Sequence, residues 1–154
     1  MLQVNTPAPN FTLSNQTGKN ISLINYKDEK NVVLYFYPKD DTSGCTLEAQ
    51  QFSALIEAFA AEETAVIGVS KDSYDSHQSF INKYDLKVEL ISDTDGQLCD
   101  KYEVWQEKEK NGIKKMGIVR STFIIDKQGN LVDVEYGVNA DGHAQAVLDK
   151  IKAL

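Results

Sequence analysis

Val32-Val33-Leu34-Tyr35-Phe36-Tyr37-Pro38-Lys39-Asp40-Asp41-Thr42-Ser43-Gly44-Cys45-Thr46-Leu47-Glu48 opens on six apolar, β-branched or aromatic residues and leads to a cysteine. A short continuous run of that kind reads as a strand buried on both faces, and Pro38 stops it. Downstream, Phe52, Leu55, Ile56 and Phe59 recur at i, i+3, i+4 and i+7, the spacing of an amphipathic helix. Counting back seven residues from Phe52 puts Cys45 on the core-facing side of that helix, in its first turn. Free backbone N–H groups and the positive end of the helix dipole favour negative charge there, so the position suits a thiolate.

The charges nearby act in both directions. Asp40, Asp41 and Glu48 oppose a thiolate, whereas Lys39 favours it, so the local sequence leaves the acidity of the thiol undecided. A cation from elsewhere is needed, and Arg120 is the candidate. It is the single arginine of the chain, against fifteen lysines, and it opens the strand-like run Arg120-Ser121-Thr122-Phe123-Ile124-Ile125-Asp126. Its planar fork of donors suits holding a thiolate and a second acceptor together. Taken without context, a lone arginine at a strand end is more often a surface residue.

Pro38-x-x-x-Thr42-x-x-Cys45 resembles the peroxiredoxin active-site motif, and the string Tyr35 to Ala49 is similar to the bacterioferritin-comigratory, or peroxiredoxin Q, branch. The resemblance extends from Pro9-Asn10-Phe11-Thr12-Leu13 through Gly68-Val69-Ser70-Lys71-Asp72-Ser73 and Leu90-Ile91-Ser92-Asp93 to Gly117-Ile118-Val119-Arg120-Ser121-Thr122-Phe123. It implies a thiol-dependent peroxidase, reducing hydrogen peroxide and organic hydroperoxides through a sulfenic acid at Cys45. Thr42 would bond the peroxide, Pro38 would shield the thiolate, and Arg120 would stabilise both the thiolate and the leaving oxygen. Glu48 falls at a position often acidic in the family; by itself it is simply a carboxylate favoured near a helix N-terminus. No cofactor is implied. The expected partners are the peroxide and a thioredoxin-like protein or small thiol, with a monomer favoured over a dimer.

Two departures stand out. Ser43 replaces a proline common before the cysteine, with little consequence expected, since either residue can precede a helix. The second concerns the resolving cysteine. Members with two cysteines often carry the resolving one five positions on, where this chain has Gln50, or on the next helix near Ser79-Phe80-Ile81-Asn82-Lys83-Tyr84, which has none. The other thiol is Cys99, beside Leu98 and Tyr102. It reads either as a small packed residue or as a resolving thiol that local unfolding would have to bring to Cys45.

The 154 residues suffice for a single domain, residues 1–154, and 16 basic against 23 acidic residues give a net charge of −7. That balance argues against nucleic acid or an anionic membrane as partner. Two cysteines do not suggest a secreted disulfide framework, no long apolar span occurs, and the start lacks a signal peptide's pattern, so the cytoplasm is the expected address. A thioredoxin-type disulfide exchanger needs Cys-x-x-Cys, and Glu48 stands at the second position. A redox sensor using the same sulfenic acid would not turn over.

Strand patterns flank Asn15-Gln16-Thr17-Gly18, predicting an N-terminal hairpin. Further strands are expected at Ala65–Val69, Val88–Ile91, Thr122–Ile125 and Leu131–Tyr136. Helices are expected at Ser73–Tyr84, around Cys99 and over Ala144–Ile151, with a charged ribbon from Val104 to Val119. That order fits a mixed α/β sheet flanked by helices. With the motif, it resembles a thioredoxin fold carrying an N-terminal β-hairpin extension. His77 and His143 read as solvated surface histidines with no metal-ligand spacing, Asp93-Thr94-Asp95-Gly96 as a helix-capping turn, Trp105 as core or ribbon packing, and Glu107-Lys108-Glu109-Lys110 as a solvated face.

Overall fold

The computed structural model describes residues 1–154. The apolar run forms strand β3 (Asn31–Phe36), the centre of a five-stranded sheet. β3 pairs in parallel with β4 (Thr64–Ser70), which pairs in parallel with β5 (Glu89–Ser92). On its other side β3 runs antiparallel to β8 (Ser121–Ile125), and β8 runs antiparallel to β9 (Leu131–Tyr136). The order is therefore β5-β4-β3-β8-β9, the mixed sheet of a thioredoxin fold. The N-terminal hairpin forms from β1 (Thr12–Ser14) and β2 (Asn20–Ser22), and the charged ribbon from β6 (Trp105–Lys110) and β7 (Ile113–Ile118).

Alternate residues of each strand enter different cores, as the period-2 geometry of a strand requires. Val32, Leu34, Phe36, Ile67, Val69 and Phe123 face a core closed by the hairpin and by α4 (Gln97–Lys101), with Leu98, Cys99 and Tyr102 packed into it. Val33, Tyr35, Val66, Leu90 and Ile124 face the opposite core, which receives Cys45 and Phe52 of α1 (Ser43–Ala54) and Phe59 of α2 (Ile56–Ala61). That second core also takes in Phe80 of α3 (Tyr74–Tyr84) and Val147 and Ile151 of α5 (His143–Lys152). No helix is long and apolar enough to cross a membrane.

The expected single helix from Cys45 past Phe59 is two helices. The last turn of α1 tightens, with the Leu55 amide donating to Phe52 O at 3.1 Å, and the chain re-enters a helix at Ile56. Both histidines expected at the surface are buried instead. His77 continues the inward stripe of α3 with Phe80, Ile81 and Tyr84. His143, in the first turn of α5, meets the Thr122 hydroxyl at 2.7 Å, and burial pushes its imidazole to lower basicity.

Candidate active site

After Phe36 the Tyr37 amide still reaches Val69 O, and the chain then turns through Pro38–Asp41 into α1. Thr42 caps that helix in an extended conformation. Its carbonyl accepts the Thr46 amide at 2.8 Å, and its hydroxyl donates to Lys39 O at 2.9 Å. With the hydroxyl proton so committed, the Thr42 oxygen is left to accept. Cys45, Glu48, Ala49 and Phe52 form the buried face of α1 at i, i+3, i+4 and i+7. Cys45 is 2% exposed, in the first helical turn, where backbone N–H groups lack intrahelical partners.

Arg120 arrives from the other side of the sheet register. Because Phe36 pairs with Ser121, the residue before β8 emerges at the sheet end where β3 hands over to the Pro38 turn. Its carbonyl accepts two amides, from Gly137 and Val138, each at 2.9 Å, which fixes its backbone. Nη2 donates to Cys45 Sγ at 3.4 Å, while Nη1 donates to Glu48 Oε1 at 2.7 Å. One guanidinium thus spans both groups, as the fork geometry of arginine allows. Gly44 makes the approach possible: a Cβ there would lie 3.1 Å from Nη2. Sequence reasoning passed over Gly44 because its need for smallness comes from a residue 76 positions away.

Glu48 is fully buried, with Oε2 unpartnered, and is not merely a carboxylate resting on a helix terminus. Burial pushes its carboxyl up to about 7, against the opposing pull of Arg120. The acids expected to burden the thiolate have partners elsewhere. Asp40 accepts from Tyr37, Ser76 and His77, and Asp41 accepts from Lys83 and Tyr84. Lys39 is exposed and Pro38 half-buried. Asp40, Asp72 and His77 bring three ligand-type atoms within 4.8 Å, but Oδ2 of Asp40 and of Asp72 already accept protein hydrogens. A separate cavity of about 190 Å³, lined in part by Leu23, Val32 and Ile125, sits at the opposite end of β3 and β8.

Cys99 belongs to the other core. Asp93 caps its helix by accepting the Leu98 and Cys99 amides at 3.0 and 2.8 Å, the role expected of that turn. Burial, reinforced by Asp93, pushes the Cys99 thiol far up, away from the thiolate form.

A thioredoxin-fold sheet presenting a helix-N-terminal cysteine to a buried arginine–carboxylate pair defines a class, the thiol peroxidases. Residues 4–134 match the AhpC/TSA family. A bcp peroxiredoxin of Helicobacter pylori is 47% identical over 152 residues, covering 97% of this chain and 98% of that protein. Peroxiredoxin Bcp of Bacillus subtilis is 39% identical over 151 residues, covering 98% and 96%. Among solved structures, the bacterioferritin comigratory protein of Xanthomonas campestris, described for its alkyl peroxide reduction activity, superposes with a TM-score of 0.90. It shares 36% identity, with 98% of each chain covered. The chain belongs to the AhpC/TSA family, as a thiol peroxidase similar to the Bcp peroxiredoxins.

Proposed function

We propose that Cys45 is the peroxidatic nucleophile of a one-cysteine peroxidase acting on hydrogen peroxide and organic hydroperoxides. The observation that carries this reading is the Arg120 guanidinium, 3.4 Å from Cys45 Sγ and braced by buried Glu48. The thiolate attacks one peroxide oxygen, an S–O bond forms as the O–O bond breaks, and the sulfur becomes a sulfenic acid. The departing alkoxide or hydroxide takes up a proton to leave as alcohol or water. Arg120 and the first-turn amides face the charge that moves from sulfur to the leaving oxygen, the arrangement that favours the transition state. Thr42, its own proton given to Lys39 O, accepts from the peroxide O–H. Pro38 limits water at the sulfur, and Glu48 holds the guanidinium in place.

Cys99 is a packing residue in this reading. The sheet separates it from Cys45, so a disulfide between them would require the intervening core to open. An external thiol, small or thioredoxin-like, then reduces the sulfenic acid. Two unpaired thiols fit a reducing compartment such as the cytoplasm.

Intact mass under non-reducing conditions, after one equivalent of peroxide, tests the reading. The expected product is a monomer one oxygen heavier that a sulfenate reagent traps. A monomer two hydrogens lighter would make Cys99 the resolving thiol. Cys45→Ser is expected to abolish repeated peroxide consumption, and retained turnover would remove Cys45 from the role.

A further inference from the structure

The β6–β7 ribbon has two chemically different faces. The register pairs Lys108 with Lys115, Lys110 with Ile113 and Gln106 with Gly117, and strand alternation puts all six on one side. Glu107, Glu109 and Lys114 fall on the other side, where Glu109 pairs across the ribbon with Lys114 and Glu107 lies 3.9 Å from the Lys114 ammonium. That face carries a net charge of −1, with both glutamates set against Lys114. The other sets two lysines directly opposite each other and adds a third, in a chain of net charge −7. Like charges in opposed positions destabilise a ribbon, so this face carries a cost that a bound anion would relieve.

The cationic face adjoins the reactive thiol. Lys108, Lys110, Ile113, Lys115 and Gly117 line a cleft of about 570 Å³ together with Pro38, the residue that ends β3 and begins the Cys45 turn. Lys108 Nζ donates to Ile118 O at 2.8 Å, passing over Gly117, where a Cβ would lie 3.2 Å from Lys108 Cδ. Burial and the Arg120 charge lower the Lys108 ammonium from its ordinary value, while Cys45 acts in the opposite sense, which puts all three within electrostatic reach. The apolar residues lining the cleft are Pro38, Ile113 and Met116, and every ionisable group on its wall is a lysine.

We propose that this cleft seats an anionic low-molecular-mass thiol, the reductant of oxidised Cys45. The proposal rests on the one-cysteine reading above, in which each turnover consumes two external thiols. The first displaces the sulfenic oxygen as water and forms a mixed disulfide, Cys45–S–S–R. The second attacks the R-side sulfur, releases R–S–S–R and returns Cys45 as the thiol. Hydrogen peroxide carries no group for the lysines to hold. The thiol's substituent must remain outside the pocket beside Pro38, which is where the lysines stand. With Cys45 only 2% exposed, a small thiol reaches the sulfur more readily than one fixed on a protein surface. A negatively charged substituent on Lys110 and Lys115, with its carbon chain on Ile113, aims the sulfur at Cys45.

The test oxidises the full chain with one equivalent of hydrogen peroxide and then follows reduction of the sulfenic acid by three thiols. Glutathione is the anionic probe, 2-mercaptoethanol the neutral one and cysteamine the cationic one. In the Lys110→Glu/Lys115→Glu variant the glutathione rate is expected to fall about tenfold or more. The 2-mercaptoethanol rate should stay within about twofold and the cysteamine rate should rise, with the contrast shrinking in about 0.5 M salt. Lys114→Glu makes half that charge change on the opposite face, and is expected to leave the glutathione rate at the wild-type value. Equal losses for glutathione and 2-mercaptoethanol, or none for either, would overturn the proposal. An acidic thioredoxin is run as a fourth reductant, and a loss confined to it would overturn the proposal too and make the face a protein dock. Failure of Cys45 to gain oxygen in the first step would instead refute the underlying one-cysteine reading.

Discussion

Asp40 Oδ2 lies 2.7 Å from His77 Nδ1, and both side chains are withdrawn from solvent beneath the turn that presents Pro38 and Thr42. The Tyr37 and Ser76 hydroxyls donate to the same carboxylate, and the Asp40 amide donates to Asp72. The far nitrogen of His77 faces Ile91 O at 3.0 Å, so each ring nitrogen has a polar partner. The cluster fastens the Pro38–Thr42 turn to α3 and β5. His77→Ala removes one of three side-chain partners of a buried carboxylate and empties the space of the ring, and is expected to cost about 3–5 kcal/mol. Thermal unfolding should show this as a melting temperature roughly 10 °C lower. An unchanged melting temperature would show that the pair does not hold the turn.

Arg120 presents a separable case, because one guanidinium bonds both the buried Glu48 carboxyl and the Cys45 sulfur. Arg120→Ala strands the Glu48 carboxylate in the core and removes the cation beside Cys45. The single variant should therefore lose stability and react with peroxide about 10²–10³-fold more slowly, the scale seen when a fixed donor is lost from a developing charge. Adding Glu48→Gln should restore much of the stability without restoring the rate. Denaturant titration and rapid-mixing oxidation of Cys45 measure the two effects independently. Joint recovery of both would mean that Arg120 acts only through packing.

Local pattern carried much of this arrangement. The strand before Pro38 and the Cys45–Phe52 spacing on α1 need only neighbours a turn or two away, and both are legible in the sequence. The inward face of His77 was legible as well, in its i, i+3, i+4, i+7 spacing with Phe80, Ile81 and Tyr84, although its polarity masked the signal. The Arg120–Glu48 bridge was not, because it depends on the register of β3 against β8. The separation of Cys45 from Cys99 likewise depends on which face of the sheet each helix covers. Asp40 and Asp41 misled for a related reason. Proximity in sequence suggested a burden on the thiolate, whereas Asp41 bonds Lys83 and Tyr84 of α3, and Asp40 bonds Ser76 and His77 of α3 as well as Tyr37.

Glu48 gives the chain a specific pH signature. In the unfolded chain its carboxyl titrates near 4.5, and burial in the folded protein raises it to about 7. The folded state therefore holds that proton more tightly. The stability linked to it is fully present below pH 4.5 and is lost as the pH rises through the folded value near 7. At about 1.4 kcal/mol per pH unit, the loss is of the order of 3 kcal/mol. Glu48→Gln cannot titrate, so its stability relative to the parent should climb by about that amount between pH 4.5 and 7.5, then level off. Urea denaturation across this range measures the difference directly. The variant should also oxidise more slowly, since a neutral amide braces the guanidinium less firmly than a carboxylate does. A stability difference that stayed flat across the window would show that Arg120 keeps Glu48 ionised throughout, with the bridge outweighing burial.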